Sequence, residues 1–288
     1  MNKEHYFNVE DERWHHTWHQ SDLKTLDMCP ERARLMWTGA VDDFEGDAAV
    51  LGTACHNAVE YLITIPEGMD AAPVHLDDET YTALHERFGH ELDELVPTIT
   101  NWNSYKSRAE LEKVGAIKLN SWYEQVYPGL TPVGVEVGFD ELLFEDDERV
   151  VRMTGRIDLI DSNMGLVDWK FPGRDYSGTD RNGVQRDKWK YDRWDIQSTT
   201  YCWATGRDTM TFYCMYGKKG EVSYMRIERG EQDFAFLRRK VEAASRLVEQ
   251  SSLKVWPLND TGWWCAQKWA PCWSVCKGKT TTSEDANG

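Results

Sequence analysis

Apolar residues recur at three- and four-residue spacing through most of the first half of the chain. This spacing predicts a helix over 48–63 and two more over 77–96 and 105–127, separated by the loop PTITNWNS. Ser21 is a candidate N-cap for a helix through SDLKTLDMC, and Pro30 suits the first turn of the helix that follows. The first half is therefore predicted to be helical.

The pattern changes to strict alternation after Thr131, as strands require. The sequence EDDE predicts a turn into VVRMTGRIDLID, and SNMG at 162–165 predicts a tight turn into GLVDWK, so three consecutive strands would form an antiparallel meander. The alternating apolar residues of the first strand are Val133, Val135, Val137 and Phe139. The rest of the chain predicts a helix over 192–205, strands over 209–217 and 222–228, and a last helix over 231–250.

This order of elements predicts a mixed α/β fold in which helices flank a central sheet. The chain has 288 residues, which suits one large domain over 1–288. A hydrophobic content of 41% without a long apolar run predicts a soluble protein with no membrane partner. The first residues lack the apolar core of a secretory signal, so we expect a cytoplasmic location.

The charge balance limits how the protein could bind nucleic acid. The 33 basic and 49 acidic residues give a net charge of −16, the wrong sign for a protein that coats nucleic acid indiscriminately. An enzyme needs only a local basic groove, and the stretch RDKWKYDRW at 186–194 is a candidate. Its possible DNA-binding residues are Arg186, Lys188, Trp189 and Lys190, and the alternative is a solvated linker.

Three residues of the meander suggest hydrolytic chemistry. Asp168 and Lys170 lie two apart on one predicted strand, so they point to the same face, and the tight turn places Asp158 across from 168 or 169. Two carboxylates could then share one divalent metal with a cation beside it, as phosphodiester hydrolysis needs. By itself, D-x-K is also compatible with an exposed strand edge that carries an ion pair.

Four motifs occur together in a fixed order: GTACHNAVE (52–60), GRIDLID (155–161), DWK (168–170) and QSTTY (197–201). Together they resemble the RecB-like exonuclease branch of the PD-(D/E)XK nuclease superfamily, and the resemblance extends from about Ser21 to Cys276. It implies a restriction-endonuclease-like fold and a deoxyribonuclease that depends on Mg²⁺ or Mn²⁺.

The resemblance also implies a role for each residue of these motifs. His56, Asp158, Asp168 and the backbone carbonyl of Trp169 would bind the metal, and Lys170 would orient or activate the attacking water. Gln197 and Tyr201, one helical turn apart, would flank the site and hold DNA or Lys170. Glu60 and Glu136 are candidates for supporting the metal ligands, with a purely structural role as the alternative.

Seven cysteines without a secretory signal favour metal binding over disulfides. Cys265, Cys272 and Cys276 lie close together, whereas Cys29 falls at the predicted junction of two early helices. One early and three late cysteines resemble the [4Fe–4S] staple of RecB-like exonucleases, including CRISPR-associated and phage members, although the spacing of the late cysteines differs from theirs. Zinc or unligated thiols are the alternatives.

This resemblance divides the expected domain into a mainly helical portion (20–130), a nuclease core (131–250) and a cysteine clasp (251–280) that closes on Cys29. The remaining cysteines are expected in the core, and the early histidines at the surface or near DNA. These are Cys55, Cys202 and Cys214, and His15, His16 and His19.

The expected function is a DNA exonuclease acting at single-stranded or frayed ends, in phage or prokaryotic DNA recombination or processing. The sequence contains no Walker-type motif, so a helicase or recombination partner would supply any unwinding. The alternatives are a non-catalytic DNA-end-binding or inhibitory module that keeps the nuclease fold, and a zinc-stabilised interaction protein.

Overall fold

The computed structural model describes residues 4–41, 45–64, 67–70, 72–173, 195–250, 255–262, 264–266 and 270–277. The helices within these ranges are α1 (Gln20–Met28), α2 (Pro30–Trp37), α3 (Asp47–Ile63), α4 (Asp78–Leu95), α5 (Arg108–Gln125), α6 (Asp195–Thr205), α7 (Glu231–Glu249) and α8 (Trp273–Lys277). The strands are β1 (His5–Asn8), β2 (Arg13–Trp18), β3 (Pro132–Glu145), β4 (Arg149–Asp161), β5 (Gly165–Lys170), β6 (Thr209–Tyr216) and β7 (Glu221–Glu228). None of the helices in these ranges is both long enough and apolar enough to cross a membrane.

The chain forms two compact units that interleave along the sequence. The smaller unit comprises Met1–Phe44, Glu141–Thr154 and Arg238–Gly288, and the larger unit comprises Glu45–Asp140 and Gly155–Leu237. Strands β3 and β4 and helix α7 each contribute residues to both units. The single domain expected from the sequence stays a prediction.

In the larger unit, helices cover both faces of a sheet. Alternate residues of β5 point to opposite sides, as the period of a strand requires. Val167 and Trp169 enter a core shared with α3, α4 and α5, whereas Leu166 enters a second core shared with α6. Strand β5 is buried on both faces over 166–169, and this burial includes the charged Asp168. The larger unit therefore has the predicted mixed α/β architecture.

A rigid turn fixes the register between β4 and β5. The carboxylate of Asp161 is fully buried and accepts backbone N–H groups from Asn163 at 2.8 Å, from Met164 at 2.9 Å and from Thr131. Gly165 completes the turn with a φ of 79°, which a glycine adopts without steric cost. The pairing is antiparallel, and the meander of β3, β4 and β5 predicted from the sequence is present.

Helix α6 connects β5 to β6, which pair in parallel, and β7 returns antiparallel to β6. A parallel pair needs such a crossover because a tight turn cannot bring two strands into the same direction. On the other face, Gly115 of α5 allows the helices to approach closely. A Cβ at this position would lie 2.1 Å from the ring of Phe88 on α4.

In the smaller unit, β1 and β2 form an antiparallel hairpin that the sequence analysis did not predict. Strand β2 also pairs in parallel with β4, from Trp14 opposite Arg149 to Trp18 opposite Met153. The expectation that His16 lies at the surface or near DNA is wrong, because its side chain is buried against Trp18 and hydrogen-bonds Glu249 at 3.2 Å. The alternation of aromatic residues in RWHHTW was the available signal for a strand.

One helix boundary differs from the prediction, and one strand contains an unexpected backbone conformation. Helix α1 begins two residues earlier than predicted, with His19 as its N-cap and Asp22 closing the capping box, so Ser21 lies inside the helix. Strand β3 runs from Pro132 to Glu145, where the turn EDDE was predicted. Its alternation is interrupted at Glu136, where a φ of 50° places a non-glycine residue in the left-handed region.

Candidate active site

Two aspartates lie where β4 and β5 separate. The ladder between these strands ends at the pair Leu159–Val167, so Asp158 and Asp168 are the next residues on each strand. Strand β5 continues to pair with β6 as far as Lys170, opposite Cys214. This register agrees with the position that the sequence predicted for Asp158. The two carboxylates come together because the Asp161 turn sets the register.

Lys170 forms an ion pair with the buried aspartate on its own strand. Its Nζ lies 2.7 Å from Oδ2 of Asp168, whose side chain is fully buried, while Trp169 points the other way into the core. Burial disfavours the ammonium, but the charges of Asp168 and Asp158 outweigh that effect and raise the pKa of Lys170. Lys170 is therefore charged at neutral pH.

Asp158 occupies an electrostatically unfavourable position. Burial is the main cause that raises the pKa of Asp158 well above its ordinary value, and the negative charge of Asp168 is the second. The positive charge of Lys170 lowers this pKa and offsets the rise only in part. The site carries more negative charge than its surroundings stabilise, which is the condition that a bound cation would relieve.

His56 approaches the two aspartates from α3. Its Nδ1 lies 3.5 Å from Oδ2 of Asp158, and the imidazole is within hydrogen-bonding reach of the Trp169 carbonyl. Burial, together with the positive charge of Lys170, lowers the pKa of His56 to about 4. The ring is therefore neutral at pH 7, the form in which histidine donates a lone pair to a metal.

These groups fit a divalent cation. One ligand atom each from His56, Asp158 and Asp168 lies within 4.8 Å of the others. Oδ2 of Asp158 and Oδ1 of Asp168 are buried, and neither has a hydrogen-bond partner among the described residues. Unsatisfied buried oxygens are costly unless something binds them, and carboxylate oxygens with one imidazole suit Mg²⁺ or Mn²⁺.

Gln197 and Tyr201 reach the site from α6, on the opposite face of the sheet from His56. The Gln197 amide donates to Oδ2 of Asp168 at 2.6 Å, so Asp168 is held by both Gln197 and Lys170. The Tyr201 hydroxyl is buried close to both aspartates, and burial with their charges raises its pKa. It packs against Phe139 in a space that Gly155 leaves open, because a Cβ there would lie 2.7 Å from that ring.

Glu136 lies near Asp158, and Glu60 lies near Glu136. Burial and the charge of Glu136 raise the pKa of Glu60, and the charge of Glu136 is also felt at Asp158. Glu136 accepts a hydrogen bond of 3.1 Å from Arg156, which is exposed and lies two residues before Asp158. Sequence reasoning missed Arg156, although the i, i+2 spacing from Asp158 was a signal for it.

A second cluster of predicted residues lies within the smaller unit. Cys29, Cys265, Cys272 and Cys276 all line one pocket of about 70 Å³. Cys29 caps the N-terminus of α2 after ending α1, as its predicted place at a helix junction required. Burial and the neighbouring Cys272 thiol raise the pKa of Cys276 to about 12, which indicates that these two thiols lie close together.

Other predicted residues lie elsewhere. Cys55, Cys202 and Cys214 are buried in the cores of the larger unit, as expected. The proposed DNA-binding residues Arg186, Lys188, Trp189 and Lys190 fall in 174–194, outside the described residues.

Comparisons with known proteins complete these observations. The family model of the PD-(D/E)XK nuclease superfamily matches residues 17–277. No curated protein matches the chain in sequence. The fold is similar to that of a protein from Eubacterium rectale described as an exonuclease, with 15% identity, 92% of each chain covered and a TM-score of 0.49. A phage-related exonuclease from Haemophilus somnus is 16% identical, over 68% of this chain and 95% of that one, with a TM-score of 0.31. An alkaline exonuclease from Laribacter hongkongensis is 16% identical, over 69% and 91%, with a TM-score of 0.29.

Proposed function

The chain belongs to the PD-(D/E)XK nuclease superfamily, and on that premise we propose that it is a Mg²⁺- or Mn²⁺-dependent DNA exonuclease of the RecB-like branch. The observation that carries the proposal is the meeting of His56, Asp158, Asp168 and Lys170 where β4 and β5 separate. Its substrate would be single-stranded or frayed DNA ends, in phage or prokaryotic DNA recombination or processing. A helicase or recombination partner would supply the unwinding.

In this proposal the described side chains divide the work of hydrolysis. A divalent ion bound by His56, Asp158 and Asp168, with the Trp169 carbonyl, would activate the attacking water and neutralise phosphate oxygens. Lys170 holds a positive charge where negative charge develops on the phosphate, and its ion pair with Asp168 fixes that charge in place.

The α6 residues would keep the site in its working geometry. Gln197 donates to Oδ2 of the buried Asp168, and the Oδ1 oxygen, which has no hydrogen-bond partner among the described residues, would then be available to the metal. Tyr201 and the Glu136–Arg156 pair border the same site, and Arg156 is exposed and so available to a DNA phosphate. The stretch 186–190 remains our candidate for a DNA-binding loop.

The two halves of the proposal, cleavage and preference for ends, are tested together with linear and circular single-stranded DNA of the same sequence. We expect the purified protein to degrade the linear DNA in Mn²⁺, to spare the circle, and to lose all activity in EDTA. Cutting of the circle would indicate an endonuclease. No cleavage of either DNA by folded protein that binds Mn²⁺ would favour the non-catalytic end-binding module.

We also propose that the four cysteines around the pocket of the smaller unit bind a [4Fe–4S] cluster, with zinc as the alternative. Four sulfur ligands suit either centre, and a bound metal would keep thiols such as Cys276 deprotonated. The position of Cys29 at the N-terminus of α2 supports this, because a helix N-terminus stabilises negative charge. The cluster would link the segment that contains Cys265, Cys272 and Cys276 to Cys29 at the junction of α1 and α2.

Protein purified without oxygen is expected to be brown, to absorb around 400 nm and to contain about four irons per chain. Cys272→Ala should lose this iron, because it removes one of the four ligands. Cys214→Ala is the matched control, since that thiol is equally buried but lies in the core of the larger unit. A colourless protein with stoichiometric zinc would identify the centre as zinc instead.

A further inference from the structure

A lysine occupies a core position of α5. Lys118 lies on the buried face of this helix together with Leu111, Val114, Leu119 and Trp122, and its side chain is fully buried. Its Nζ donates hydrogen bonds of 2.9 Å to the carbonyl oxygens of Phe171 and Pro172. The sequence offered a signal that was missed, namely a lysine inside an apolar stripe of helical spacing.

This arrangement is costly if its purpose is packing alone. Burial lowers the pKa of Lys118 to about 8, and among the described residues its further interaction is electrostatic, with the Cys55 thiol. A buried ammonium loses most of its hydration, and carbonyl dipoles compensate less than a carboxylate would. A methionine would fill the same space without that cost. The hydrogen-bond donors are therefore the feature of Lys118 that needs an explanation.

The two carbonyls belong to the residues that directly follow Lys170. The ladder of β5 with β6 ends at Lys170, so the β-sheet does not hold the chain at 171–172. The ring of Phe171 contacts the His56 ring edge-on, with centroids 5.8 Å apart. The centroid of the Trp169 ring lies 6.2 Å from that of His56. Any shift of this segment would move Lys170, the Trp169 carbonyl and His56 together.

We propose that Lys118 is a positioning residue. By holding the carbonyls of Phe171 and Pro172, it keeps the Trp169 carbonyl and His56 in metal-binding geometry and keeps Lys170 beside them. The inference rests on the function proposed above. Lys118 does not touch the metal or the DNA in this account. It acts through the end of β5, in the way that outer hydrogen bonds orient metal ligands in other proteins.

The test compares Lys118→Met with Lys113→Met, the same change at an exposed position of the same helix. Mn²⁺ binding is measured without DNA, from the electron paramagnetic resonance signal of free Mn²⁺, and cleavage is measured at saturating DNA. For Lys118→Met we expect Mn²⁺ affinity and kcat each to fall by about 10- to 100-fold, with KM for DNA unchanged and the melting temperature close to wild type. Lys118→Gln keeps an amide donor and should recover part of both losses.

Wild-type Mn²⁺ affinity and kcat in a folded Lys118→Met protein would overturn the proposal. Loss of the fold in both Lys118→Met and Lys118→Gln would assign the lysine to stability and overturn it as well. The proposed function fails separately: wild-type protein that binds Mn²⁺ but cuts no DNA would reject nuclease activity, while the Mn²⁺ affinities would still test Lys118.

Discussion

Lys170→Ala is expected to slow DNA cleavage by about a hundred- to a thousandfold while Mn²⁺ binding persists. The ammonium lies 2.7 Å from Asp168 and keeps its charge, because the two aspartates raise its pKa. It is therefore placed to stabilise negative charge on the phosphate in the transition state. Its removal leaves His56, Asp158 and Asp168 as metal ligands. Initial rates on end-labelled linear DNA and Mn²⁺ titration of the same preparation measure the two effects.

Lys113→Ala is the matched control, because Lys113 is exposed on α5 and its substitution removes one positive charge, as Lys170→Ala does. Circular dichroism establishes that both variants are folded. We also expect the metal-free Lys170→Ala protein to melt at a lower temperature than wild type, because two buried carboxylates lose their cation. Cleavage by Lys170→Ala within threefold of wild type would rule out the assigned role.

Asp158→Asn should remove both metal binding and cleavage yet stabilise the metal-free protein. Substitution of a residue that only hydrogen-bonds a metal ligand typically weakens metal binding by roughly 10- to 100-fold. Loss of a direct ligand should weaken Mn²⁺ binding by more than this, and the cleavage rate should fall with it. Because burial and Asp168 raise the pKa of Asp158 in the fold, its ionised form is a net cost at neutral pH. If the asparagine removes about 1 kcal/mol of this cost, the melting temperature rises by roughly 2–4 °C.

The sign of the pH dependence follows from the same shift. A carboxyl whose pKa is higher in the folded state than in the unfolded state destabilises the fold increasingly as the pH rises above the unfolded pKa. The full cost is reached above the folded pKa and disappears below the unfolded pKa. The difference in melting temperature between Asp158→Asn and metal-free wild type should be largest near pH 7 and disappear in acid. Asp147→Asn, in an exposed turn, is the control. A metal-free Asp158→Asn protein less stable than wild type at pH 7 would contradict this electrostatic account.

Local periodicity was sufficient for most of the larger unit. The apolar spacing predicted 48–63 as a helix, and α3 is Asp47–Ile63. The alternation and turn residues predicted the meander and the approximate register of Asp158 against Asp168. These features depend on neighbours along the chain, on the Asp161 turn and on the strand period, so a single sequence contains them.

The β1–β2 hairpin, the burial of His16 and the left-handed backbone conformation of Glu136 were not predicted. Strand β2 pairs with β4, which is distant in sequence, and its aromatic residues could equally have belonged to a surface segment. The positive φ of Glu136 is a backbone state that its residue type does not favour, so only the surrounding structure can impose it.

The sequence by itself determined the chemistry that the site can offer: two carboxylates and a lysine in a strand–turn–strand, and a histidine at a fixed place on a helix. Tertiary structure alone decided the state of those groups. It brought His56 to the aspartates and buried it neutral, and it placed the Lys118 ammonium under the end of β5. It also left one buried oxygen each of Asp158 and Asp168 without a hydrogen-bond partner in the part of the chain that the structure describes. The reason is that local propensity acts between neighbouring residues, whereas desolvation and long-range hydrogen bonds depend on which distant segments pack together.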